Sequence, residues 1–289
     1  MREISVNDIT AAVREMCIEV NHRLSPAVQE ALLFAAGKEG SETGKSILAI
    51  LRENLQIAAE KEIPICQDTG MAVVFVTLGQ EVRLTGGGLT EAINEGVRQG
   101  YKEGYLRKSV VSDPLDRVNS GDNTPAMIYY DIVPGDTFTL RLTAKGFGSE
   151  NTSRVIMLKP SDGIEGVKKA VLETVKNAGP NACPPLFVGV GIGGTFEKAA
   201  MLAKLALLKD GGETAESLTA GLCHDAPYVK TLEDMLLREI NALGIGPAGL
   251  GGSVTALAVH VLTAPTHIAG LPMAVNICCH VNRHAKRTL

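Results

Sequence analysis

From Ser253 to Cys279 the chain carries no Asp, Glu, Lys or Arg. A charge-free stretch of that length restricts the fold, because it must either cross a lipid bilayer or be buried in protein. The bilayer is the poorer choice. Pro265, Pro272, Gly270, His260, His267 and Asn276 interrupt the run, and in hydrocarbon their polar groups would go unsatisfied. Two buried strands with a loop between them is the reading the residues support.

The other gross features agree with a cytoplasmic globular protein. The 289 residues suffice for one large domain or two small ones. Hydrophobic content of 45% and charged content of 21% are ordinary, and the net charge is −4. Lys and Arg are scattered, with a single basic cluster at Asn282–Arg287, so no nucleic-acid footprint is expected. The opening "MREISVNDITAAVREMCIEV" has acids in its first turns and no apolar core; it reads as neither a secretory signal nor a transit peptide.

Along the chain, helical periodicity dominates residues 5–60. Asn7-Asp8 can cap a first helix, Ser25-Pro26 opens a second, and "SETGKSILAILRENLQIAAEKE" is a third. Strand and helix patterns then alternate. "GMAVVFVTLG" reads as a strand, "LTEAINEGVRQGYKEG" as a helix, and "AMIYYDIVPGDTFTLRLTAKG" as a hairpin turned at Pro134-Gly135-Asp136. A helix at "GIEGVKKAVLETVKNAG", a strand at "PLFVGVGIGG" and a helix at "TFEKAAMLAKLALL" follow. The loop "KDGGET" and the helix "VKTLEDMLLREINALG" precede the charge-free run. The fold class is α/β, with mixed sheets flanked by helices and a helical N-terminal part. With no internal repeat and no long linker, residues 1–289 read as a single domain. Residues 1–62 form its helical part and 63–289 its mixed α/β part.

Two glycine patterns have the G-x-G-x-x-G form. Gly189, Gly191 and Gly194 lie between a strand and a helix, as a dinucleotide site requires, whereas Gly244, Gly246 and Gly249 have the wrong polarity. The first pattern lacks the acid-tipped second strand that should follow its helix. Close backbone approach to a ligand or another subunit is the better reading.

Six cysteines without a signal sequence argue for free thiols rather than disulfides. Cys17, midway along an amphipathic helix, reads as core, and so does Cys223 beside His224. Cys66 in "PICQDTG" and Cys183 in "GPNACPPLFVG" instead lie on turn-rich loops, and Cys278-Cys279 ends the charge-free run in "NICCHVNRH". No C-x-x-C pair exists. A zinc site from Cys278 or Cys279 with His280 and His284 would lack a ligand.

Seven motifs, "PICQDTG", "GYLRKS", "GDNTPA", "KGFGSEN", "CPPLFVGVGIGGTFEKA", "GIGPAGLGG" and "VNICCHVNRH", occur in this order over nearly the whole chain. Together they resemble the α subunit of class I, iron–sulfur fumarate hydratases and L-tartrate dehydratases. The resemblance implies a [4Fe–4S] cluster held by Cys66, Cys183 and Cys279. Cys279 is preferred to Cys278 because the family cysteine stands four residues before an arginine, here Arg283. Three thiolates leave one iron open to act as a Lewis acid, where four would saturate the cluster. The resemblance further implies Asp68 as the catalytic proton-transfer group. Gln67, Arg107, Gly146 and His267 are the implied substrate-binding residues, with Arg107 as a carboxylate clamp. Without it, Asp68 would read as a turn cap, Arg107 as a surface arginine and His267 as a core histidine. The implied reaction is reversible dehydration of (S)-malate to fumarate, with L-tartrate to oxaloacetate as the alternative. A nicotinamide-dependent oxidoreductase and a zinc-binding assembly protein are more remote readings. Single-chain members continue into a second domain after the third cysteine, so the implied partner is a separate β subunit in an α2β2 assembly. A small dicarboxylate is the implied substrate, and neither nucleic acid nor membrane is a partner.

Overall fold

The computed structural model describes residues 1–210, 213–219, 223 and 226–289. In chain order the elements are β1 (Arg2–Ser5), α1 (Val6–His22), α2 (Pro26–Lys38), α3 (Glu42–Lys61), β2 (Met71–Gly79), β3 (Val82–Thr85) and α4 (Leu89–Glu103). Then come β4 (Met127–Val133), β5 (Phe138–Lys145), α5 (Phe147–Glu150), β6 (Arg154–Leu158), α6 (Gly163–Ala178), β7 (Leu186–Gly194) and α7 (Phe196–Ala206). The last are α8 (Ala215–Thr219), α9 (Val229–Asn241), β8 (Ala256–Thr266), β9 (Leu271–Cys278) and β10 (His284–Thr288). The class is mixed α/β, as the sequence predicts. The charge-free run forms β8 and β9. Among the described residues no helix is long and apolar enough to cross a membrane.

The chain divides into two compact, interleaved units. One is Met1–Ser25, Asn54–Phe147 and Arg283–Leu289; the other is Pro26–Glu53 and Gly148–Asn282. The helical segment before residue 62 is therefore shared: α1 belongs to the first unit, α2 to the second, and α3 is divided.

The first unit holds a four-stranded sheet in the order β10-β5-β2-β4, with β2 parallel to β4 and antiparallel to β5. This corrects the hairpin expected over residues 126–146. β4 and β5 are not paired, because β2 lies between them. The cause is burial. Val73, Val74, Phe75 and Val76 are all buried and need cover on both faces, whereas Tyr130 and Ile132 of β4 are exposed and suit an edge. α1 and α4 complete the core with Ile9, Val13, Met16, Ile93 and Val97. They approach closely because α4 presents glycines. A Cβ at Gly96 would lie 2.7 Å from the Thr10 carbonyl, and one at Gly100 would lie 2.8 Å from Cys17 Cβ. Cys17 is fully buried, and that burial pushes its thiol up to about 12, which makes it an inert core group. The helix is capped by Ser5, which accepts the Asn7 N–H, rather than by Asn7-Asp8.

The second unit holds the sheet β6-β9-β7-β8, with β7 parallel to β8 and antiparallel to β9. Leu186, Val188, Val190 and Ile192 of β7 meet α6 and α9. The alternate positions, Gly189 and Gly191, meet α7. Any Cβ there would stand 2.0 Å from the Ala203 carbonyl and 2.2 Å from the Ala199 carbonyl. "GVGIGG" is thus strand, paired on both sides, and its glycines exist so that α7 can pack on the sheet. That removes the observation on which a dinucleotide site rested. The next strand among the described residues is β8. Gly211 and Gly212 of the predicted "KDGGET" loop lie outside the described residues.

Candidate active site

Four of the sequence motifs converge in the first unit. The chain leaves α3 and is anchored just before Cys66. The Ile65 N–H donates to the Asn21 carbonyl (2.9 Å), and the Ile65 carbonyl accepts from Asn54 Nδ2 (2.9 Å). Cys66 and Asp68 are half-buried and Gln67 is exposed. Thr69, 1% exposed, turns inward. Its hydroxyl donates to the Arg107 carbonyl (3.1 Å) and accepts the Arg107 N–H (2.9 Å). Arg107 is therefore fixed at its backbone to the Cys66 loop while its guanidinium side chain stays exposed.

Gly70 has φ +74, and a Cβ there would lie 2.8 Å from the backbone of Ala144 and Lys145, so only glycine fits. The Tyr101 hydroxyl donates to the Thr69 and Gly70 carbonyls (2.8 and 3.0 Å). Burial pushes that hydroxyl's pKa up, so it remains a donor. Asn123 of "GDNTPA" ties the next loop to the same point. Its Nδ2 donates to the Gly70 carbonyl (3.2 Å), and its Oδ1 accepts the N–H groups of Ser109 and Val110 (2.7 and 3.2 Å).

Asp68 lies at the centre of this network. Oδ1 accepts the Gly70 N–H (3.0 Å), Oδ2 accepts the Phe147 N–H (2.9 Å), and its carbonyl accepts from Arg283 Nη1 (2.6 Å). Arg283 is 2% exposed and also donates to Asn21 Oδ1 (3.0 Å), while its buried Nε has no partner among the described residues. A Cβ at Gly146 would sit 3.1 Å from Asp68 Oδ2 and 3.2 Å from Arg283 Nη2. Gly146 therefore leaves room for carboxylate and guanidinium to stand side by side. Lys145, also 2% exposed, donates its ammonium to the Gly146 carbonyl (3.2 Å).

Sequence reasoning found Gln67, Asp68, Arg107 and Gly146 here and missed Thr69, Tyr101, Asn123 and Lys145. Arg283 entered only as a spacing mark. The signal was present, because all five stand in or beside the quoted motifs. What the sequence withholds is that buried polar groups need these partners.

In the second unit Cys183 and Cys279 come to one end of the sheet. β7 begins at Leu186, β9 ends at Cys278, and Phe187 pairs with Cys278. The two loops touch, because His280 Nδ1 lies 3.2 Å from the Cys183 carbonyl. A carbonyl only accepts, so Nδ1 carries the proton. Cys183 is exposed with φ +55, Cys279 is half-buried, and Cys278 is 3% exposed on the strand.

His267 is not with them. It lies in the exposed turn between β8 and β9, with Nδ1 accepting the Ala269 N–H (3.2 Å). The eight residues of β9 separate that turn from Cys279, about 23 Å at 3.3 Å per residue. The chain thus places His267 at the opposite end of the sheet from both thiols. Cys223 is buried, and its neighbour His224 lies outside the described residues.

The donor chemistry fits an iron–sulfur cluster. Cys66, Cys183 and Cys279 are the thiols that stand clear of the core, and Cys17, Cys223 and Cys278 are buried. Soft thiolates on loops are the ligands such a cluster takes. Among the described residues no three His, Cys, Asp or Glu side chains close on a single ion. A four-iron cube is larger than an ion, and its thiols need not meet at a point. Cys278 or Cys279 with His280 and His284 likewise forms no such group among the described residues, which leaves the zinc reading without a site.

The family model described as Fumarate hydratase (Fumerase) matches residues 10–288. A Methanocaldococcus jannaschii protein, provisionally named L(+)-tartrate dehydratase subunit alpha, is 42% identical over 283 residues, 96% of each chain. The L(+)-tartrate dehydratase subunit alpha of Escherichia coli strain UTI89 is 33% identical over 98% of this chain and 91% of its own. The protein of that name from Shigella boydii is 32% identical over the same shares. With a family model spanning almost the whole chain and relatives of this identity, the chain belongs to the fumarate hydratase (Fumerase) family of hydro-lyases.

Proposed function

We propose that this chain is the alpha subunit of a [4Fe–4S]-dependent hydro-lyase that reversibly dehydrates (S)-malate to fumarate. The observation that carries the reading is Asp68, fixed by two backbone N–H groups beside Arg283 and two residues from Cys66. Cys66, Cys183 and Cys279 would hold the cluster, which when bound supplies a Lewis-acidic iron that makes hydroxide a better leaving group. Residues 1–289 act in this reading as one cluster-binding subunit.

The protein's own residues do the remaining work. The two backbone bonds fix the Asp68 carboxylate and leave lone pairs on both oxygens. Those lone pairs take or return the proton of the departing hydroxyl. Arg107 is held by its backbone so that its guanidinium can clamp a substrate carboxylate bidentately. Gln67, exposed beside Asp68, hydrogen-bonds the substrate, and Gly146 keeps the space next to Asp68 clear. Arg283 and Lys145 give that corner positive charge, which opposes the negative charge gathering on the substrate as C–H is broken. His267, at the far end of its sheet, serves as a substrate contact only for a second copy of the chain. That is compatible with an α2β2 assembly in the cytoplasm.

A second reading, dehydration of L-tartrate to oxaloacetate, is favoured by the names of the relatives. The test is to co-express the chain with its neighbouring candidate β subunit and to assay malate, fumarate and L-tartrate anaerobically. The pair should turn over one of them, and the chain alone should turn over none. Equal turnover by the purified chain alone would refute the need for β, and inactivity of the pair on all three would refute the substrate class.

A further inference from the structure

We propose that Glu39 is a positioning residue for the Cys183 turn, acting through the glycine loop of residues 245–255; the proposal rests on the cluster reading above. Glu39 follows α2 and is only 3% exposed. Its Oε1 accepts the N–H groups of Ser41 (2.7 Å) and Ser253 (3.0 Å) and the Ser253 hydroxyl (3.3 Å). Oε2 accepts the N–H groups of Ser253 (3.0 Å) and Val254 (2.9 Å). A carboxylate is kept inside a protein only where donors compensate it, and here most of the donors belong to the loop, at Ser253 and Val254. Gly252 makes the fit possible, because a Cβ there would lie 2.7 Å from Oε1.

The loop so anchored grips the cysteine turn at three points. The Ala248 N–H donates to the Pro184 carbonyl (2.8 Å), and the Leu186 N–H donates to the Thr255 carbonyl (2.9 Å). Gly249 lies so close to Pro180 that a Cβ would come within 2.4 Å of Pro180 Cβ. Internal bonds keep the loop closed, Gly251 N–H to the Ile245 carbonyl (2.9 Å) and Gly246 N–H to Thr255 Oγ1 (3.2 Å). Cys183 sits inside this grip with φ +55 and its N–H on the Pro180 carbonyl (3.0 Å). A non-glycine residue stays left-handed only where its surroundings over-determine it. Glu39 is the charged group at the root of those surroundings.

The test uses the full chain with Glu39→Gln and Gly252→Ala. Gln keeps the volume but turns an NH2 towards N–H donors. The alanine displaces the carboxylate without changing charge, at a residue whose φ is +134. Hydrogen exchange is followed in the metal-free chain, with the denaturation midpoint measured beside it. Loss of charge-assisted bonds should speed exchange in the 181–186 segment about tenfold in both variants, with the 273–279 segment unchanged. After loading with iron and sulfide, the reduced cluster's EPR spectrum should differ from that of the unsubstituted chain. Unchanged exchange at 181–186, a uniform rise across the chain that tracks the midpoint, or an unaltered EPR spectrum would each overturn the proposal. If the unsubstituted chain takes up no iron, the cluster reading fails instead, and the exchange result still decides whether Glu39 holds the turn.

Discussion

In the first unit the groups of interest stand on loops tied together from below by Thr69, Tyr101, Asn123 and Arg283, each buried and each bonded to backbone. In the second, two thiols lie at the end of a sheet whose interior is aliphatic, and one histidine contact joins their loops. The difference matches the two tasks. In the proposed function Asp68 moves a proton, which needs an oxygen placed within a fraction of an ångström, and two backbone N–H groups hold its carboxylate. The Cys183 turn is held as firmly, but through its backbone: the Ala248 N–H on the Pro184 carbonyl and the Leu186 N–H on the Thr255 carbonyl fix the chain rather than the sulfur.

The comparison breaks most readily at Asp68. Asp68→Asn cannot carry the proton and turns an NH2 towards one of the two N–H donors, so in the assembled enzyme kcat should fall about 10²–10⁴-fold and the denaturation midpoint should fall with it. A loss of only a few-fold would mean that the carboxylate is a turn cap after all. Gly70→Ala comes next. Its Cβ would meet the Ala144 and Lys145 backbone at 2.8 Å with φ +74, and denaturation should show a loss of about 2–4 kcal/mol. In the second unit Gly191→Ala should cost about 1–3 kcal/mol by pushing α7 off the sheet, with no effect on nicotinamide binding because none is expected.

The smallest effect concerns acid stability. Burial opposes the charge of Glu39, yet the N–H groups of Ser41, Ser253 and Val254 with the Ser253 hydroxyl outweigh it and hold the carboxyl below its ordinary 4.5. A depressed carboxyl contributes stability that is present above the unfolded value and lost as pH falls through the lower folded one. Stability measured by denaturant should therefore drop below about pH 4.5, and Glu39→Gln should flatten that drop. An identical profile in the variant would remove Glu39 from the acid response.

Much of this was legible from residue patterns. Periodicity located α1 to α4, α6, α7 and α9, and the missing charges located β8 and β9. Pairing was not legible. β4 and β5 look like a hairpin because both flank Pro134-Gly135-Asp136, and only the need to bury Val73–Val76 on both faces inserts β2 between them. β10 was hidden as well. Its residues showed in the sequence only as a basic cluster, while in the fold Lys286 pairs with Arg141 along a sheet edge. The site was legible as motifs, because Cys, Asp and Arg advertise chemistry. Its supports were not, since a buried Thr69 or Asn123 has no signature until its partners are known. The place of His267 was not legible either, because the extended strand β9 carries it to the opposite end of the sheet from Cys279.

The central claim is that Cys66, Cys183 and Cys279 share one cluster, and the direct measurement is iron analysis after anaerobic reconstitution with iron and sulfide. The account predicts about four irons per chain, lost in Cys66→Ser, Cys183→Ser and Cys279→Ser and kept in Cys278→Ser. Zinc in place of iron, or iron that survives all three substitutions, would contradict it.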